Sequence, residues 1–260
     1  IEGEGPFPVV VVYDLYRQGS QERELSRRIA DRGAVVFAPV WVDAVGTSLT
    51  VSDYIGGAMW NRAACAVGHA QAQAEAYGGD PAQTTVMGAA GGEHPAAWVT
   101  LGLADIGDCA EPVRFQPTGL VAGESQWLFQ EPQFDDAFDS EDAGAIDTVD
   151  RLFNPAHWDH SEQLTVFLWA TAWPDNSAEI DDPPAEESWI WSRDPDGDIV
   201  EDLGEVDAFA DGLITFSDNS RLMNLRMTQA GIDVSYYESD SAGYGLDEAT
   251  FEGIWQIVSR

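Results

Sequence analysis

The sequence predicts an α/β fold in which a mostly parallel sheet is covered by helices on both faces. Short, apolar, β-branched runs, which are typical of buried parallel strands, alternate with longer segments of helical spacing. This alternation indicates βαβ units, whose crossover helices pack on the sheet. With 260 residues, of which 44% are hydrophobic, the chain can bury the core of one large domain, and we expect residues 1–260 to form it.

The first half of the chain supplies three strands and three helices to this prediction. Pro8 to Tyr13 is a continuous apolar run of strand length. In the segment that follows, Leu25 and Ile29 are spaced one helical turn apart, and Gly33 marks the end of the helix. The predicted strands are 8–13, 34–39 and 84–88, and the predicted helices are 20–32, 53–77 and 93–103.

The second half continues the alternation but interrupts it once. The predicted strands are 118–122, 164–170 and 233–238, and the predicted helices are 220–230 and 248–258. Residues 175–217 are rich in acidic residues and prolines and show neither helical nor strand periodicity. We expect this stretch to be an acidic insertion or lid within the single domain.

The charge of the chain is strongly negative. Forty-six Asp and Glu residues stand against 12 Arg and no Lys, which gives a formal charge of −34. Residues 124–211 hold 25 of the acids and only two Arg, so this stretch alone carries −23. Such a field repels nucleic acid and anionic membrane surfaces, and no apolar run is long enough to span a bilayer. The excess of negative charge indicates either adaptation of the surface to salt and solubility or attraction of cations and basic partners.

Local sequence adds a resemblance to a known superfamily. Residues 74–92 read AEAYGGDPAQTTVMGAAGG, in which a helix ends in a Gly-Gly-Asp-Pro turn and a strand leads into a glycine-flanked turn. Residues 32–39 (RGAVVFAP), Asn154-Pro155 and residues 231–245 (GIDVSYYESDSAGYG) fit the same pattern. Together these segments resemble the α/β-hydrolase superfamily, in particular secreted actinobacterial carboxylesterase- and lipase-like proteins. The resemblance implies an α/β-hydrolase fold.

The resemblance also implies that the catalytic motifs are degenerate. The nucleophile elbow, G-x-S-x-G, matches residues 88–92, but Ala90 stands at the serine position. The histidine of the family's G-H-G triplet matches Tyr244, whose phenol is a poor base at neutral pH. The family's glycine-rich oxyanion loop matches Asp14-Leu15-Tyr16, and the triad acid has only Asp175 roughly in its place.

These substitutions favour a non-catalytic, pseudo-esterase function that binds an unknown small molecule or protein. The candidate pocket residues are Asp14, Tyr16, Ala89, Ala90, Gly91, Ser125 and Tyr244. One alternative is a carboxylic-ester hydrolase with a relocated nucleophile, for which Ser125 and Ser241 are the candidates. A second alternative is a calcium-stabilised surface binding module.

Two groups of residues could hold a metal, although we expect no other cofactor. Asp194, Asp196, Asp198, Asp202 and Glu205 follow the ligand spacing of an EF-hand calcium loop, but Ile199 replaces the glycine of its sharp turn. His157, His160 and Glu162 could bind a metal if both imidazoles shared a helical face, and an ordinary surface loop is the simpler interpretation. We expect His94, just past the elbow, on the helix surface rather than in the pocket.

The two cysteines indicate the kind of cellular compartment in which the protein is found. Cys65 lies in the helix before the elbow strand and Cys109 in the loop after the elbow helix, and the resembling esterases often carry a cysteine in each place. The resemblance therefore implies a disulfide and an oxidising compartment. Since Ile1 resembles neither a native start nor a signal peptide, we expect a targeting segment to have been removed and the protein to be extracellular or on the cell surface.

The charge predicts a salt-dependent fold. Because added ions shorten the Debye length from about 10 Å at 0.1 M to about 3 Å at 1 M, repulsion within residues 124–211 should weaken. We expect the melting temperature to rise steadily with NaCl or KCl alike. If residues 194–205 hold calcium, millimolar calcium should add a saturable step that magnesium cannot match.

The matched variant for the calcium step is Asp196→Asn with Asp198→Asn. It should remove the step and leave the salt slope nearly unchanged, because it changes only two of the 46 acids. A melting temperature that stays flat up to molar salt, without a calcium step, would contradict both roles of the acidic region.

Overall fold

The computed structural model describes residues 5–14, 20–39, 58–89, 91–105, 107, 109–123, 151–152, 155–171, 178–179, 213–214, 216–239 and 247–260. The strands are β1 (Phe7–Asp14), β2 (Val35–Phe37), β3 (Gly79–Ala89), β4 (Gly119–Gly123), β5 (Thr165–Thr171), β6 (Ala178–Glu179), β7 (Leu213–Ile214) and β8 (Asp233–Ser239). The α-helices are α1 (Ser20–Asp31), α2 (Ala58–Ala74), α3 (Glu93–Thr100), α4 (Phe216–Gln229) and α5 (Glu248–Val258). Short 3₁₀ helices span Glu75–Tyr77 and Pro155–His157.

A six-stranded sheet of order β2-β1-β3-β4-β5-β8 organises the molecule, and all its neighbouring strands are parallel. Val9 to Val12 of β1 are at most 4% exposed, so both faces of this strand are covered. This double burial explains why the strand is continuously apolar rather than alternating. The predicted α/β fold with its mostly parallel sheet is confirmed.

Helices cover the two faces of the sheet in two groups. Val9, Val11 and Tyr13 belong to the core cluster that also contains residues of α2, α3 and α4. Val10 and Val12 belong to the cluster that contains residues of α1 and α5. Since successive strand residues point to opposite faces, β1 contributes to both cores.

The boundaries differ from the sequence predictions mainly at α2 and β3. The predicted helix 53–77 is α2 up to Ala74 and then a 3₁₀ turn, and residues 53–57 lie outside the described residues. The strand predicted from residue 84 begins at Gly79, because Gly79 and Asp80 pair with Phe7 and Pro8 before an irregularity in the register. No periodic apolar pattern marks this extension, so the sequence did not indicate it.

A small antiparallel pair lies at the ends of the expected insertion. β6 pairs with β7, with Ala178 opposite Ile214 and Glu179 opposite Leu213. The pairing brings together the two points between which residues 180–212 run, and those residues lie outside the described part of the chain. That this stretch is an insertion or lid stays a prediction.

Arginines of α1 join this helix to α5. Arg28 donates a hydrogen bond of 2.6 Å to the Glu248 carboxylate and lies 3.8 Å from the centroid of the Phe251 ring. Arg32 pairs with the Glu252 carboxylate, and its hydrogen bond lowers the pKa of Glu252. Both contacts combine an ion pair with a cation–π contact, so they tie α5 to α1 across the face of the sheet.

A disulfide ties the segment before β4 to α2. Cys65 and Cys109 are bonded, with their Cα atoms 5.2 Å apart, as the resemblance implied. A Cβ atom added to Gly68 would lie 2.0 Å from the Glu111 carbonyl oxygen, so the two backbones touch. The side chain of Gln71 accepts from the Arg114 and Phe115 N–H groups and donates to the Phe115 carbonyl. Covalent and polar contacts therefore hold the segment before β4 against α2.

Within the described residues, no helix is both long and apolar enough to cross a bilayer.

Removal of the disulfide should destabilise the fold measurably. The bridge closes a loop with a sequence separation of 44, for which the chain-entropy relation gives about 4 kcal/mol. We expect Cys65→Ser with Cys109→Ser to lower the free energy of unfolding by roughly that amount in urea titrations. The wild type under reducing agent should match the double variant. Thiol titration of the denatured, unreduced wild type should find no free thiol, and two free thiols per chain would contradict the bridge.

Candidate functional site

The candidate site lies at the carboxyl ends of β1 and β3. After β1 the chain moves to one side to form β2, and it then crosses back over β1 to form β3 on the other side. In open α/β sheets such a reversal leaves a crevice outside the carboxyl ends of the two strands. The paired residues there are Tyr13 with Gly88 and Asp14 with Ala89, so the ends of the two strands are level.

A tight turn leads from β3 into α3 at this edge. The Gly92 N–H donates to the Ala89 carbonyl at 3.0 Å, and Gly91 has a φ of 98°, which favours glycine. A Cβ atom on Gly88 would lie 2.0 Å from the Gly92 carbonyl oxygen. One on Gly92 would lie 2.3 Å from the Tyr13 carbonyl oxygen. This strand-to-helix turn, called the elbow from here on, therefore requires glycine at 88 and 92 and favours it at 91.

Aromatic side chains fill the space between α3 and α2. The Trp60 and His94 rings are parallel with centroids 5.5 Å apart, and Trp60 also contacts Trp98 at 5.3 Å. The Trp98 indole N–H donates to the Asn61 side-chain oxygen at 2.9 Å. Since these side chains are packed between the two helices, they fix the position of α3 beneath the elbow.

The prediction that His94 lies on the helix surface is wrong, because the residue is 1% exposed. Only Glu93 separates it from the elbow, and α3 is buried over its whole length between the sheet and α2. A polar residue so close to the elbow must therefore pack inside the protein. Its ring stacks on Trp60 instead of facing solvent.

Two further buried polar residues of this region are Tyr13 and Glu93. The Tyr13 hydroxyl donates to the Ala63 carbonyl of α2, and burial raises the pKa of this phenol far above its usual range. Glu93, the first residue of α3, has a fully buried side chain. Its carboxylate accepts a hydrogen bond of 2.5 Å from the Gly91 N–H and lies 3.5 Å from the His94 Nδ1 atom.

A group of polar contacts joins the end of β8 to the start of α5. Residues 240–246 lie outside the described residues, but a hydrogen bond of 2.8 Å from the Ser239 hydroxyl to the Asp247 carboxylate joins the residues on either side of them. Asp247 also accepts from the Tyr237 hydroxyl and, as the N-cap of α5, from the Thr250 N–H. Burial raises the pKa of Asp247, but these hydrogen bonds outweigh it and hold the pKa below the usual range.

On the opposite face of β8, a second carboxylate orders the same strand end. Glu238 accepts hydrogen bonds from the Tyr236 hydroxyl at 2.7 Å and from the Arg221 side chain at 2.6 Å. Arg221 belongs to α4, so this pair ties α4 to the carboxyl end of β8. The carboxyl end of β8 is therefore anchored on both sides.

The structure brings together only part of the predicted pocket. Ala89 and Gly91 lie in the elbow, and the backbone of Asp14 lies beside Ala89. The other candidates fall outside the described residues: Leu15, Tyr16, Ala90, Ser125, Asp175, Ser241, Tyr244 and the calcium-loop acids Asp194, Asp196, Asp198, Asp202 and Glu205. Glu93 and Asp247 were not singled out from the sequence, although an acid in the first turn of a helix and an Asp before a helix are recognisable capping signals.

The histidine pair does not share a helical face. His157 ends a 3₁₀ turn, and His160 follows it with its Nδ1 atom 2.9 Å from the Ser161 carbonyl oxygen. Within the described ranges, no group of three or more His, Cys, Asp or Glu side chains is placed to hold a metal ion.

Comparison with known proteins identifies the fold. No protein-family model and no curated protein match the chain. The esterase Est2 of Thermogutta terrifontis with propionate bound is similar, with a TM-score of 0.57 and 14% identity, over 100% of this chain and 82% of that chain. The same esterase phosphoramylated by tabun gives a TM-score of 0.58 at 14% identity, over 98% of this chain and 84% of that chain.

A third similar structure comes from another organism. The acetyl ester-xyloside bifunctional hydrolase of Caldicellulosiruptor lactoaceticus gives a TM-score of 0.57 at 14% identity, over 96% of this chain and 78% of that chain. Together with the parallel six-stranded sheet, these neighbours show that the chain has an α/β-hydrolase fold.

Substitution of Asp247 should remove part of the pH dependence of the free energy of unfolding. Because the folded-state pKa is lowered, the carboxylate stabilises the fold above its ordinary pKa of about 4, and this contribution disappears as the pH falls through the folded-state pKa. Asp247→Ala should lower the free energy of unfolding by about 1–2 kcal/mol near neutral pH and by less at about pH 3.

Asp247→Asn is the matched variant, because Asn remains a good N-cap but carries no charge. We expect it to lose less stability than Asp247→Ala at neutral pH and to show the same flattened pH profile. Urea unfolding at both pH values measures this. A loss for Asp247→Ala that is equal at the two pH values would show that the charge of Asp247 is not involved.

Proposed function

We propose that this chain is a non-catalytic protein of the α/β-hydrolase fold that acts by binding a ligand or a partner. The observation that carries the proposal is the combination of the elbow's three glycines with an alanine at its nucleophile position. The glycines at 88, 91 and 92 make the tight turn at the switch point of the sheet, yet Ala90 has no atom that can attack a carbonyl.

The glycines of the elbow are evidence for the fold and not for the activity. Backbone contacts at Gly88 and Gly92 exclude any side chain, whether or not the turn carries a nucleophile. Catalysis depends instead on side-chain atoms at other positions. In the sequence, Tyr244 matches the position of the general base, which a phenol fills poorly, and Asp14 matches the start of the oxyanion loop, where a negative charge is unfavourable. Three independent positions therefore argue against ester hydrolysis.

The charge of the chain narrows the class of partner. A formal charge of −34 disfavours nucleic acids and anionic membrane surfaces and favours cationic or basic partners, bound at the elbow or by the acidic region 124–211. The disulfide supports a location in an oxidising compartment, and we infer that the protein acts outside the cell or on its surface.

The proposal is tested by ester turnover. With p-nitrophenyl acetate and butyrate, we expect the wild type to stay at the background rate, whereas esterases accelerate such reactions by about 10⁶-fold or more. Ala90→Ser should also stay at background, because the base and the oxyanion loop remain absent. A fluorophosphonate probe should label neither protein.

Ser125→Ala and Ser241→Ala test the alternative of a relocated nucleophile. Turnover well above background that either substitution abolishes would overturn the non-catalytic proposal and identify the nucleophile. If wild-type turnover survives both substitutions, a separately purified batch is assayed. Only turnover that this second batch lacks is attributed to a contaminant.

A further inference from the structure

Glu93 places a carboxylate on a particular backbone donor of the elbow. Its Oε2 atom lies 2.5 Å from the Gly91 nitrogen, and the side chain has no exposed surface. Gly91 follows position 90, so its N–H is the amide directly after the nucleophile position of the elbow. The positive φ of Gly91 orients this amide and lets the carboxylate approach from α3.

In enzymes with a nucleophile elbow, the corresponding amide has a defined task. The backbone N–H of the residue after the nucleophile is one of the donors that stabilise the oxyanion of the tetrahedral intermediate. A carboxylate oxygen resembles that oxyanion in charge and in its capacity to accept a short, charge-assisted hydrogen bond. In this chain that amide already donates a hydrogen bond to a carboxylate, which belongs to a residue close by in the sequence.

The surroundings explain how a buried carboxylate is tolerated here. An isolated charge would be costly to bury, but Glu93 is the first residue of α3, where the helix dipole favours a negative charge. The His94 Nδ1 atom lies 3.5 Å from its other oxygen, and the His94 ring is held in place by Trp60. The contact between Glu93 and Gly91 is thus supported by packed neighbours.

We propose that the Glu93 carboxylate is a built-in anion that occupies the oxyanion donor of the elbow and excludes small carboxylates and ester carbonyls from it. This autoinhibitory contact rests on the proposed non-catalytic function and gives it a consequence for ligand choice. Ligands that need the Gly91 N–H, as carboxylates do, do not bind at the elbow, while neutral or cationic ligands that do not need this donor are unaffected.

The experiment is chemical rescue with acetate. Glu93→Ala removes a fragment of the size of acetate and frees the Gly91 N–H. We expect the variant to melt below the wild type and to regain melting temperature saturably with sodium acetate, by about 4 °C at ten times the dissociation constant. Sodium chloride at equal ionic strength supplies the control for charge screening, and the wild type should respond equally to both salts.

Amide signals of glycine-labelled protein provide the site-specific measurement. In Glu93→Ala, the Gly91 amide proton should move downfield as acetate is added, while in the wild type it should stay unchanged and exchange slowly with solvent. Glu93→Gln keeps an acceptor oxygen at this place, so it should block acetate without carrying the charge. Fast exchange of the Gly91 amide in the wild type would overturn the proposal even if Glu93→Ala does not fold.

Failure of this inference is distinguishable from failure of the proposed function. If acetate and chloride stabilise Glu93→Ala equally and the Gly91 amide does not respond, Glu93 is only a structural cap, whatever the ester assay shows. If the wild type hydrolyses esters through Ser125 or Ser241, the non-catalytic function is wrong, while acetate rescue at Gly91 would still establish the occupied donor.

Discussion

The backbone of the first turn of α3 touches the carboxyl end of β1, and no side-chain atom fits between them. A Cβ atom at Gly92 would lie 2.3 Å from the Tyr13 carbonyl oxygen, far inside any normal contact. Because protein interiors are close-packed, this contact fixes how near α3 lies to the sheet. The position of α3 in turn determines where Trp60 and Trp98 pack and where α2 meets the segment held by its disulfide.

This constraint separates what the fold requires from what catalysis requires. The contact is satisfied by the lack of a side chain at Gly88 and Gly92, whereas ester hydrolysis depends on the side-chain atoms of a nucleophile and a general base. A chain can therefore have the α/β-hydrolase fold whether or not it catalyses ester hydrolysis. Glu93 is a further example, because it follows Gly92 directly and its carboxylate packs against the same turn.

The sequence predicts the sheet well because its strands are local apolar runs, and α5 was predicted with its observed ends, 248–258. It predicts less well what depends on distant partners. β3 starts at Gly79 because it pairs with Phe7, which no periodicity shows. Burial of Glu93 and His94 follows from packing against α2, so these residues read as an ordinary helix start. The disulfide was predicted through family resemblance, since two cysteines alone do not reveal their distance.

Three arginines of the described chain lie at contacts between elements, and their placement helps to explain how the acidity is tolerated. Arg28 and Arg32, one turn apart on α1, face Glu248 and Glu252, one turn apart on α5. Arg221 joins α4 to β8 in the same way. Each exposed pair contributes little by itself, but an unmatched acid at such a contact would add repulsion between packed elements. Because arginines are used there, the excess of negative charge does not oppose these contacts.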